Sequence, residues 1–127
     1  MIYELAAGFA SALTPWNLMM CFAGVFAGQL VGALPGIGPS SAIALLLPLT
    51  FGADPTSAII LFAGIYYGAQ YGGTLTSVLI SVPGEPSSVM TSIDGYQMAL
   101  QGKAGVALGI AAIGSFIAGT ISTIGLM

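Results

Sequence analysis

The sequence predicts an all-α integral membrane protein with about three transmembrane helices plus one broken or re-entrant helix. Three observations carry that expectation. Of the 127 residues 57% are hydrophobic and only 4% charged, and the mean hydropathy is +1.02, so the chain lacks the mixed charged surface of a water-soluble domain. Its charged side chains, Glu4, Asp54, Glu85, Asp94 and Lys103, all fall at the edges of apolar segments or in breaks between them. The apolar segments are too long, and too little faced with charge, for a greasy soluble domain.

Residues 1–14 contain Glu4 and no Lys or Arg, so they lack the basic start of a secretory signal and no cleaved targeting peptide is expected. Trp16 to Leu34, about nineteen residues at about 1.5 Å each, just covers a hydrocarbon core of about 30 Å and reads as a span. The first break follows, LPGIGPSS from Leu34 to Ser41. Gly36 and Gly38 free the backbone, Pro39 suits a first helical position, and Ser40 and Ser41 then fall in the first turn. Ser40 to Phe51 is about twelve residues, or about 18 Å as helix, which falls short of a crossing. It reads as a half-helix or re-entrant arm.

Gly52-Ala53-Asp54-Pro55 is a turn, because a residue before proline is biased out of helix while the proline itself suits a helix start. A second span runs from Thr56 to about Ser81. Its second half carries Gln70, Tyr71, Gly72, Gly73, Thr74, Thr76 and Ser77, which is costly against lipid and reasonable against a protein-lined cavity. VPGEPSSVM, residues 82–90, is the second break. Val89 to Lys103 is too polar to span and reads as a partly helical interfacial connector, after which Ala104 to Met127 forms a final apolar span.

Glycines recur four residues apart at Gly24, Gly28 and Gly32, again at Gly64, Gly68 and Gly72, and once more at Gly105 and Gly109. Small residues at that period let helix backbones approach closely, which drives association where no hydrophobic effect acts between helices. The plainer alternative is that glycine is frequent in membrane helices. Two three-member registers favour close packing.

The breaks resemble each other: PGIGPSS at 35–41 and PGEPSS at 83–88 differ by one inserted residue. A backbone amino end at membrane depth costs several kcal/mol per unpaired N–H unless protein, water or a ligand satisfies it. A matched pair of Gly/Pro-interrupted segments is the pattern of a transport site, in which half-helix amino ends hold an anion. Two ordinary loops between spans are the alternative. No basic residue lies near either break, so within this part of the protein the anion is met by helix amino ends, hydroxyls and a co-bound cation, with arginine from the other half as a further contributor. The candidates are Gly36, Gly38, Pro39, Ser40 and Ser41, with Gly84, Ser87 and Ser88 opposite.

Other chemistry is set aside. The chain has no His and a single Lys in the polar connector, so an intramembrane serine hydrolase lacks its base. Cys21 has neither a disulfide partner nor a second metal ligand beside it. The stretch GYQMALQGKAG has Ala104 after Gly102-Lys103 where a phosphate loop needs Ser or Thr, and Gly36-x-Gly38, followed by Pro39, has no acidic residue at a strand end about twenty positions on. A net charge of −3 with one Lys excludes a nucleic-acid surface.

LPGIGP, AGIYYGAQYGG, PGE followed by SS, and DGY, in this order, make residues 24 to 118 resemble the large permease subunit of the tripartite tricarboxylate transporters, the TctA type. Gln97 departs from the pattern, since many relatives carry a proline after the DGY tyrosine. The resemblance implies a multi-pass protein of the bacterial inner membrane, a secondary transporter taking up a di- or tricarboxylate by cation symport. It also implies a small four-helix membrane subunit and a periplasmic solute-binding protein as partners, with the lipid bilayer around them and no enzymatic activity. The large subunit of that family is several times longer and built from two related halves. Residues 1–127 therefore read as an incomplete amino-terminal part of a larger inverted-repeat transporter, not expected to transport alone.

Accumulating an anion against an inside-negative potential costs about 2.3 kcal/mol per charge per 100 mV, so cations must move with it. Sodium or protons are the candidates, with no other cofactor. Sodium is favoured by oxygen-rich, His-free surroundings: carbonyls around Gly36 or around Gly72 and Gly73, and the hydroxyls of Thr74, Thr76 and Ser77. Glu85 could carry a proton instead, or serve only as a helix-end carboxylate near Pro86. The competing reading of the whole chain is a non-transporting membrane scaffold or assembly subunit, for which the glycine registers would suffice. The paired breaks and the polar half-span argue against it.

Lys103 before the last span places the connector on the cytoplasmic side. A re-entrant arm then puts Met1 on that side too, whereas an arm that completes a crossing moves Met1 to the periplasm.

Overall fold

The computed structural model describes residues 1–127, and the chain is helical nearly throughout, with no strand. Helices α1 (Ile2–Ala12), α2 (Pro15–Gly32), α3 (Pro39–Leu46), α4 (Pro55–Ile80), α5 (Val89–Leu100) and α6 (Ala104–Leu126) are joined by turns, two of which are short 3₁₀ segments, Leu47–Thr50 and Pro86–Ser88. Prolines start α2, α3 and α4, where a missing N–H removes only a donor that the helix leaves unpaired anyway. Asp54 caps α4 by accepting from the N–H groups of Thr56 (3.1 Å) and Ser57 (3.4 Å), which the proline argument alone does not reveal.

Helix α1 was not expected from the sequence. It meets α2 at a bend of 70°. The bend is held by two bonds to the Ser11 carbonyl, donated by the Asn17 side chain (2.6 Å) and the Thr14 hydroxyl (3.1 Å). Asn17 is buried, and its oxygen accepts from the buried Ser57 hydroxyl at 2.6 Å, tying the start of α2 to the start of α4.

The two glycine registers face each other along α2 and α4. A Cβ placed on Gly24 would lie 2.5 Å from the Leu61 carbonyl oxygen, one on Gly64 2.8 Å from that of Cys21, and one on Gly72 2.5 Å from that of Gln29. On Gly28, Gly32 and Gly68 it would overlap the backbones of Ile65, Ala69 and Val25. The helices thus touch backbone to backbone, as the registers predict. The third register does not pack: Gly105 and Gly109 have open space around them, because α6 touches its neighbours mainly through its first turns, where Ala107 is its single buried residue.

Numbers rise together along the seam, with Asn17 beside Ser57, Gly28 beside Ile65 and Gly32 beside Ala69. Helices α2 and α4 are therefore parallel, and residues 33–54 must return the chain along their length. Gly38 lies level with Gly73 through their shared neighbour Glu85, while Asp54 lies at Ser57. Sixteen residues of α4 separate those levels, about 24 Å. The arm accordingly returns along the α2–α4 seam as a broken helix. The estimate of about 18 Å covers only Ser40 to Phe51, whereas Gly38 to Asp54 is sixteen residue steps; within them Leu47–Thr50 is 3₁₀ and residues 51–54 are not helical. Ala42 of the arm is buried with Leu61, Ile65 and Ala69 of α4 in the largest apolar cluster.

Helix α6 is long and apolar enough to cross a membrane by itself, and α1 with α2 qualifies as a bent pair. Alone, α2 has 18 residues, Asn17 and Gln29 among them. Helix α4 has 26 residues, ample in length, but its polar second half dilutes it. Helix α5 packs on the end of α4, where a Cβ on Gly95 would meet the Val78 side chain at 2.8 Å. Helix α6 then runs back antiparallel to α4, anchored by the Tyr71 hydroxyl donating to the Leu108 carbonyl at 3.1 Å.

Candidate functional site

The second break is drawn into the end of the α2–α4 seam by glycine. Gly84 is buried, and a Cβ on it would lie 2.5 Å from the Gly73 Cα and 3.2 Å from the Gly32 carbonyl oxygen. No other residue type fits there without moving backbone. With Gly84 seated, Glu85 comes beside both α4 and the first break: its side chain is 3.9 Å from a Cβ position on Gly73 and 4.0 Å from one on Gly38. The two breaks expected to lie opposite one another do approach, through Gly38, Gly73, Gly84 and Glu85.

In the first break, Gly36 takes φ +85, which strongly favours glycine. Gly38 is the extended cap residue of α3 and, lacking a side chain, offers no acceptor to its amino end. Pro39 is buried as the first helical residue. Ser40 and Ser41 are exposed, and neither hydroxyl makes a hydrogen bond within the chain. They are free to meet a ligand.

The serines of the second break differ. The Ser87 hydroxyl donates to Glu85 Oε1 at 2.6 Å, and the Ser88 hydroxyl donates to the Glu85 carbonyl at 2.9 Å while accepting from the Glu85 N–H at 3.4 Å. Ser88 is buried and closes the 3₁₀ turn on itself. These two hydroxyls hold Glu85 in place.

On α4 the Gly73 carbonyl accepts from the hydroxyls of Thr76 (3.0 Å) and buried Ser77 (2.7 Å), and Thr74 donates to Gln70 one turn earlier at 3.2 Å. Each hydroxyl spends its proton on its own helix and keeps acceptor lone pairs. A Cβ on Gly72 would point into the seam, 2.5 Å from the Gln29 carbonyl oxygen. The site thus contains a carboxylate, Glu85, between the amino end of α3 and an oxygen-lined turn of α4. Sequence reasoning missed Gly32, whose carbonyl receives Gly84, and Tyr71, whose hydroxyl holds α6; the first was legible only as a seam glycine.

Residues 18–127 match the tripartite tricarboxylate transporter TctA family. The chain is also 57% identical over 124 residues to a protein of Agrobacterium vitis described as an uncharacterized 52.8 kDa protein in the TAR-I ttuC' 3' region. That alignment takes in 98% of this chain and 25% of the relative, so the chain spans about a quarter of the relative's length. No solved structure matches. With the family's match covering all but the first residues, the chain belongs to the tripartite tricarboxylate transporter TctA family, a family of membrane transporter components.

Proposed function

We propose that this chain forms part of the permease through which a di- or tricarboxylate enters across the bacterial inner membrane by symport with sodium. The observation that supports it is the seating of Glu85 beside Gly38, at the amino end of α3. A carboxylate substrate drawn to that amino end meets the Glu85 carboxyl group, and two neighbouring carboxylates need a cation between them or a proton on one. The Gly73 turn, with the hydroxyls of Thr76 and Ser77, supplies hard oxygen ligands on the same side. In this reading α2, the arm, α4 and α6 traverse the bilayer, the opposing repeat completes the site, a periplasmic binding protein delivers substrate and a small membrane subunit pairs with the permease.

Ser40→Ala with Ser41→Ala in the whole permease tests the anion half. The expected outcome is a raised KM for carboxylate uptake with membrane abundance unchanged. Uptake with unaltered KM and maximal rate would remove α3 from the binding site.

A further inference from the structure

Helix α1 is unused by the transport reading, and all but one of its residues are exposed. Its 11 residues make about 16 Å of helix, half of what a crossing needs. At 100° per residue Ile2, Leu5 and Phe9, continued by Leu13, fall on one side, while Glu4, Gly8 and Ser11 fall on the other. The 70° bend holds α1 within about 20° of the membrane plane when α2 runs along the normal. Trp16 is exposed at that corner, the residue type that gathers at membrane–water interfaces.

The direction of the apolar side is fixed by a groove of about 700 Å³. Phe9 forms one wall, Tyr67 and Tyr71 of α4 another, and Phe116 and Ile124 of α6 a third. The stripe of α1 therefore turns toward the flank of α6, the helix apolar enough to cross alone, and is continuous with that surface.

We propose that α1 is an interfacial helix whose Ile2, Leu5 and Phe9 rest on lipid acyl chains, with those chains also entering the groove beside α6. Such a helix sits with its apolar face about 5–10 Å into the headgroup–acyl boundary. Glu4 and Ser11 face the headgroups and water. The inference rests on the membrane setting of the proposed function but not on substrate or coupling ion.

Single cysteines at Leu5, Phe9, Glu4 and Gly8, and at Ile113 and Ile117 of α6, in an otherwise cysteine-free whole permease, would be spin-labelled in phosphatidylcholine vesicles. Collision rates with oxygen and with a water-soluble nickel chelate are then compared. Expected is a several-fold higher oxygen-to-nickel ratio at 5 and 9 than at 4 and 8, with 113 and 117 also high. If Phe9→Cys fails to assemble, Ala6→Cys reads the same face. Nickel access at 5 and 9 overturns the inference by placing α1 in water. Exclusion of both reagents there overturns it by showing protein cover, from another helix of the permease or a second copy. Low ratios at 113 and 117 as well would overturn the membrane setting along with it.

Discussion

Replacing Gly24 with alanine tests whether the α2–α4 seam is a true backbone contact. The new methyl would lie 2.5 Å from the Leu61 carbonyl oxygen, 3.2 Å from the Ile65 nitrogen and 3.3 Å from the Leu61 carbonyl carbon. Ordinary contact begins at 3.4 Å, so the helices must part by about 0.9 Å there, enough to forfeit a quarter to a half of the dispersion well at each displaced contact. Overpacking of this kind costs about 1–3 kcal/mol, against a gain of at most about 1 kcal/mol for alanine over glycine in a helix. Gly109→Ala is the matched control, since open space surrounds that position and only the gain applies.

Reversible unfolding of the whole permease in mixed micelles measures both variants. Gly24→Ala should lose stability while Gly109→Ala holds or gains. Adding Gly64→Ala, whose methyl would stand 2.8 Å from the Cys21 carbonyl oxygen, should cost less in the double variant than alone, because helices already parted by the first methyl leave room for the second. Gly24→Ala as stable as Gly109→Ala, or strictly additive seam losses, would refute the direct contact.

Three further outcomes follow from the same geometry. Asn17→Leu strands the buried Ser57 hydroxyl and should cost about 1–3 kcal/mol, whereas Asn17→Leu with Ser57→Ala should recover part of that loss in a double-mutant cycle; equal losses would mean that the bond in the structure carries no energy. Uptake into proteoliposomes with sodium replaced by choline at fixed pH should fall to background, and full retained uptake would reassign coupling to protons through Glu85. Cysteines at Gln101 and Tyr3, in a Cys21→Ser background, should label from opposite faces with a membrane-impermeant thiol reagent, since parallel α2 and α4 put α1 and the connector at opposite ends; labelling of both from one face would restore a re-entrant arm.

The helices were largely legible because a chain in lipid must pair its backbone within each segment, so apolar runs and Gly/Pro breaks mark the boundaries directly. Pro39 and Pro55 as helix starts, the α2 and α4 glycine registers and the similarity of the two breaks are all one-dimensional signals. Their partners are not. That Gly84 seats on Gly73 and carries Glu85 to Gly38 depends on contacts across tens of residues, and nothing local distinguishes Gly84 from any loop glycine. The return of the arm was not legible, because only the parallel packing of α2 and α4 shows that residues 33–54 run back along their length. Asn17 and Ser57, 40 residues apart, look like stray polar residues until the parallel packing of α2 and α4 brings them to 2.6 Å. Sequence determined where this chain is helical from α2 onward, since that follows from the solvent each segment must satisfy; tertiary structure decided which ends meet, since direction and register are set only when two backbones find each other.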